Sequence, residues 1–116
     1  MKPLRATVSD LLAALPGLPT PAFPEGQCFA TAFQHGSMRV EFYVPRGHDP
    51  QTPHTQDELY FIVSGFGNFL RDDTTTPFGP GDVLFVPAGV VHRFENFSED
   101  FATWVVFYGQ EGGERP

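Results

Sequence analysis

Gly81-Asp82-Val83-Leu84-Phe85-Val86-Pro87-Ala88-Gly89-Val90-Val91-His92-Arg93-Phe94-Glu95-Asn96 is the stretch on which the reading of this chain turns. An apolar run ends in a Pro-x-Gly turn, and the next strand presents a histidine. Upstream, His54-Thr55-Gln56-Asp57-Glu58 sets a second histidine and a carboxylate four residues apart, just before the apolar run 59–63. Residues two or four apart on a strand share a face, so His54 and Glu58 are expected to project together. The run Leu59-Tyr60-Phe61-Ile62-Val63 is expected to be buried on both faces, and an ionised carboxylate at its mouth is costly unless a cation compensates it. Two imidazoles and a carboxylate, delivered by two strands, suit a first-row metal ion. A neutral imidazole also needs a partner to fix its tautomer, a role expected of Glu95 or Asn96 for His92.

Working outward, the chain of 116 residues has room for one core. It is 41% hydrophobic and 18% charged, which places it among folding sequences rather than disordered ones. Thirteen Phe against one Trp and three Tyr suit a small all-β core filled with rings. The formal charge of −7 supplies no basic footprint for nucleic acid and disfavours anionic membranes, so a soluble cytoplasmic protein is expected. Cys28 stands alone, which excludes an intramolecular disulfide and a cysteine zinc site. Residues 1–15 carry no signal-peptide pattern, and no apolar run approaches the length of a membrane span.

Residues 8–15 read as a short amphipathic helix with Ser9 at its N-cap, ended by Pro16-Gly17. Residues 16–24 hold four prolines and form an extended arm. The texture then turns β. Strands are expected over residues 28–34, 38–44, 58–64, 68–72, 83–86, 91–97 and 101–108, with residues 77–81 as a turn. In the second of these, Met38, Val40, Phe42 and Val44 alternate with Arg39, Glu41 and Tyr43. Short strands with turns every 8 to 12 residues and no intervening helices mean an antiparallel sandwich or barrel. The organisation is residues 1–26 as helix and arm, 27–110 as the barrel domain and 111–116 as a polar tail.

Over residues 38–108 this pattern resembles the cupin superfamily, in particular its small single-domain microbial members. Gly81, Pro87, Gly89, His92 and Asn96 occupy every position of that family's second signature. His54, Glu58 and Gly65 fit the second histidine, the glutamate and the closing glycine of the first. The fifteen residues between Gly65 and Gly81 match the family's short spacer. The resemblance implies an all-β, single antiparallel jelly-roll barrel with a metal inside, often built as a homodimer.

The departure is Thr52, where the first signature has a histidine. Gln51 is the favoured substitute, since an amide oxygen can coordinate a divalent metal and type I phosphomannose isomerases use a glutamine in their zinc shell. His48 is the second candidate. The expected metal ligands are therefore His54, Glu58, His92 and Gln51, around one divalent transition metal (Fe, Zn, Mn or Ni). Glu58 is also the expected catalytic group, as ligand or base. The expected function is action on a small oxygen-bearing organic molecule as a mononuclear-metal dioxygenase or isomerase. The alternative is a non-catalytic module that binds a small molecule or metal. His35 and Cys28 read as ordinary structural residues.

Overall fold

The computed structural model describes residues 3–116. Its order is α1 (Val8–Ala13), β1 (Phe29–His35), β2 (Met38–Tyr43), β3 (Asp57–Ser64), β4 (Gly67–Arg71), β5 (Thr74–Phe78), β6 (Val83–Val86), β7 (His92–Glu95) and β8 (Ala102–Tyr108). The strands form two antiparallel sheets, one ordered β1-β2-β8-β3-β6 and the other β5-β4-β7. Between them lies an aromatic core in which the Phe94 ring meets Tyr60, Phe69, Phe78 and Phe101. The all-β jelly-roll expectation holds.

A second, smaller cluster covers the outer face of the larger sheet. Leu11 of α1 packs there with Phe42, Val44 and Ala102. This cluster decides which face of β2 looks inward. Its apolar set faces the helix, while Tyr43 joins the inner core and Arg39 lies with its guanidinium 4.6 Å from the centroid of the buried Phe107 ring. The polar set of β2 thus looks into the barrel, because the helix already covers the other face.

Several boundaries differ from the sequence reading for identifiable reasons. The helix is capped by Thr7, whose hydroxyl accepts from the Asp10 amide at 3.1 Å, and not by Ser9; it ends at Ala13. β5 occupies part of what reads as hairpin tip and turn. It is an exposed edge strand containing Pro77, so it carries no apolar alternation. The run 59–63 is not buried on both faces, since Phe61 is 39% exposed on the outer side. His54 does not lie on a strand. It sits in the loop 44–56 that leads into β3.

Gly65 illustrates why the turn after β3 needs a glycine. Its φ is +86°, and a Cβ there would lie 2.5 Å from the Cα of Phe101. No side chain fits that approach.

Candidate metal centre

Two hydrogen bonds from backbone amides join the halves of the site. The Gly89 N–H donates to the His54 carbonyl at 2.7 Å, and the Ala88 N–H donates to Oδ1 of Asp57 at 2.9 Å. The turn that delivers His92 is thereby fastened to the loop that delivers His54. Asp57 also accepts from the Glu114 N–H at 2.8 Å, so it is a buried strap between segments.

His54, Glu58 and His92 come together with one donor atom from each within 4.8 Å of the others. Glu58 is wholly buried on β3. Its Oε1 lies 2.6 Å from Nε2 of His92 and its Oε2 lies 3.7 Å from Nε2 of His54. The Nδ1–H of His92 donates to the Val90 carbonyl at 2.9 Å. A carbonyl can only accept, so this bond fixes the tautomer and leaves a lone pair on Nε2 when the ring is neutral. The tautomer is therefore set by Val90 and not by Glu95 or Asn96. Asn96 instead adopts a left-handed φ of 51° at the end of β7, a conformation that asparagine tolerates well.

Nε2 of His92 lies 2.6 Å from a carboxylate oxygen of Glu58, without the alignment of a hydrogen bond. Among the described residues, neither that nitrogen nor Oε2 of Glu58 has a hydrogen-bond partner, although both are buried. Unpartnered buried acceptors of this kind cost free energy unless a proton or cation lies among them. Two nitrogens and a carboxylate converging in this way fit a divalent first-row metal ion.

Electrostatics in the metal-free protein match that picture. Burial pulls His54 below the ordinary histidine range, more than the nearby Glu58 charge lifts it, so its ring is neutral near pH 7. Burial pulls on His92 too, but the contact with Glu58 and its charge outweigh it and raise His92 above that range.

The loop 44–56 brings Gln51 beside the cluster and holds His48 elsewhere. Oε1 of Gln51 lies 3.3 Å from Nε2 of His54. Its Nε2 donates to Oδ2 of Asp49 at 2.9 Å. His48 lines a separate cavity of about 530 Å³ beneath the proline-rich arm, with Cys28 and Arg46.

Sequence reading missed Asp49 beside this cluster, and placed Tyr60 on the face of Glu58 without its contacts. Buried Asp49 accepts from the Tyr43 hydroxyl at 2.5 Å, the Gln51 N–H at 3.2 Å and the Phe94 N–H at 2.9 Å. It reaches across to β7, the strand that carries His92. The Tyr60 hydroxyl lies 2.9 Å from Oε1 of Gln51 and 3.0 Å from Oε1 of Glu58. Tyr60 shares strand parity with Glu58, which signals a shared face but not this contact. Burial, with the Glu58 charge beside it, pushes the phenol well above its usual range and keeps it protonated. Arg39 and Glu41 were legible only as polar positions on a strand.

A family model described as "Cupin domain" matches residues 39–108. The chain is similar to an uncharacterized protein of Streptomyces coelicolor, 49% identical over 59 residues, or 51% of this chain and 56% of that protein. It is also similar to a dimethylsulfoniopropionate lyase of Ruegeria pomeroyi, 33% identical over 69 residues, or 58% of this chain and 34% of the lyase. The crystal structure of that lyase superposes with a TM-score of 0.59 at 25% identity, covering 70% of this chain and 46% of that one. The chain thus spans little more than half of one curated relative and about a third of the other.

Proposed function

The chain belongs to the cupin domain family, and from that premise and its His–Glu–His cluster we propose that it is a metal-dependent enzyme acting on a small oxygen-bearing organic molecule. The carrying observation is the convergence of His54, Glu58 and His92, one donor atom from each within 4.8 Å of the others, with Oε2 of Glu58 and Nε2 of His92 buried and without hydrogen-bond partners. His54, Glu58, His92 and Gln51 would hold one divalent ion of Fe, Zn, Mn or Ni. When bound, that ion supplies Lewis acidity toward a substrate oxygen.

The chain's own residues do the rest. The Val90 carbonyl orients the His92 ring. Asp49 holds the Gln51 amide with its oxygen toward His54. Tyr60 keeps its proton, and its hydroxyl, within hydrogen-bond reach of Gln51 and Glu58, is placed to donate a hydrogen bond to negative charge that develops on a substrate oxygen. This favours redox-neutral chemistry, as in an isomerase or lyase, and the relative named as a lyase supports the same class. The dioxygenase reading has its own readout, O₂ uptake by the Fe(II)-loaded protein.

The test is metal analysis of freshly purified protein, followed by a turnover screen over small acids, sugars and phenolics with Tyr60→Phe alongside. The proposal expects near-stoichiometric metal in both proteins, with turnover lost in Tyr60→Phe. Absence of bound metal, or a Tyr60→Phe variant as active as the parent, would overturn it.

A homodimer is proposed as well. Phe61, Val83 and Phe85 stand exposed on the outer face at the β3–β6 edge, where Phe61 pairs with Val83 in register. Val83→Glu with Phe85→Lys should turn a dimer into monomers by light scattering.

A further inference from the structure

We propose that Arg39 is the anion anchor of this site, so that the substrate class is a small organic molecule bearing a carboxylate; the proposal rests on the metal-enzyme reading above. Strand register carries it first. Arg39 on β2 lies opposite Phe107 on β8, and Phe107 lies opposite Glu58 on β3. Residues directly opposite one another point to the same face, so Arg39, Phe107 and Glu58 form one inward row. Two strand spacings, about 10 Å, separate the two ends of that row at the backbone.

Side-chain contacts then close most of that distance. The Arg39 guanidinium lies over the Phe107 ring, and the His54 ring meets the same ring edge to face with centroids 4.9 Å apart. One aromatic ring therefore lies between the guanidinium and the imidazole. The Arg39 side chain is 38% exposed and lines a surface recess with Ser37, Gln56 and Gln110, which leaves the guanidinium accessible to a solute.

Glu41 leaves the anion-binding end of Arg39 free. Its Oε2 sits 2.8 Å from Arg39 Nε, the inner nitrogen, as an ion pair without the alignment of a hydrogen bond. Among the described residues, the two terminal nitrogens make no hydrogen bond. A guanidinium fork held by its stem and open at its tip matches the two oxygens of a carboxylate. Near the cluster, Asp49, Glu58 and Glu41 are all acidic, so Arg39 is the cation that offsets a second negative group on the substrate.

The test measures binding of succinate, a dicarboxylate, and of its neutral diamide by calorimetry, with metal-loaded and metal-free protein. The parent is expected to favour succinate at least tenfold, and Arg39→Gln to lose that preference with its metal content unchanged. Glu41→Gln removes a competing negative charge and is expected to tighten succinate at least twofold, which gives a readout even should Arg39→Gln fold poorly. Equal affinity for succinate in the parent and in Arg39→Gln overturns the anchor, as does unchanged or weaker binding in Glu41→Gln. A parent that takes up no metal yet still prefers succinate through Arg39 removes the metal-enzyme reading and leaves the anchor standing.

Discussion

The side-chain amide of Gln51 donates from Nε2 to Oδ2 of Asp49 at 2.9 Å, and this bond decides that the amide oxygen faces His54. Asp49 is thus the residue through which a buried carboxylate sets the polarity of the loop end of the site. Asp49→Asn puts a donor where an acceptor stood and leaves one oxygen to serve Tyr43, Gln51 and Phe94. Stability should fall by about 2–3 kcal/mol in chemical denaturation. Metal affinity should fall on the order of tenfold, because the Gln51 amide is then free to flip. Unchanged affinity would remove Gln51 from the ligand set.

Removing either histidine separates the roles of the two strands. His92→Ala takes away the ring whose tautomer is fixed by Val90, and metal content should drop below a tenth of the parent's. His54→Ala should leave a weaker site, since its ring is partly exposed and further from Glu58. Elemental analysis after gel filtration reads both. In the parent, metal at about a hundredfold excess over its dissociation constant adds about 2.7 kcal/mol of stability, and a chelator should reverse that gain.

Stability against pH should differ between the metal-free and metal-loaded forms. His92 is raised in the folded state, so the stability it contributes is complete below the ordinary histidine value and is lost as pH climbs through its folded value. His54 is lowered, so stability is lost as pH falls from the ordinary value toward its folded one. Together they place the metal-free maximum from this pair at about pH 6.5, the unperturbed histidine value. Metal binding needs both rings deprotonated, so the loaded protein should gain stability as pH rises beyond that point. Thermal melts from pH 5 to 9 with and without metal check this, and parallel curves would contradict it.

Gly65→Ala tests the turn itself. The left-handed φ and the approach of Phe101 combine to cost about 2 kcal/mol or more. A denaturation midpoint within error of the parent's would mean that the β3–β4 turn relaxes freely.

Much of the barrel was legible because its signals are local. The Pro87-Ala88-Gly89 turn, the left-handed glycines at 65, 81 and 89, and the apolar run of β6 are each written in a few adjacent residues. β5 was not legible, because an edge strand facing water needs no alternation and tolerates Pro77. The helix cap was displaced by two residues, since Thr7 and Ser9 offer the same hydroxyl chemistry and only backbone geometry selects between them.

The linear chain was enough to determine the candidate ligand types, the spacing of His54 and Glu58, and the pairing of both with a histidine after a Pro-x-Gly turn. Local chemistry specifies these, because each depends on residues a few positions apart. Tertiary structure alone decided that Arg39 and Glu41 look inward, that Asp49 orients Gln51, and that Tyr60 reaches both Gln51 and Glu58. Alternation along β2 divides it into two faces but does not say which of them meets the barrel; the packing of Leu11 against Phe42 and Val44 settles that. The loop from Val44 to Gln56 has no repeating pattern to read, so its side chains are placed only by hydrogen bonds to strands distant in the sequence.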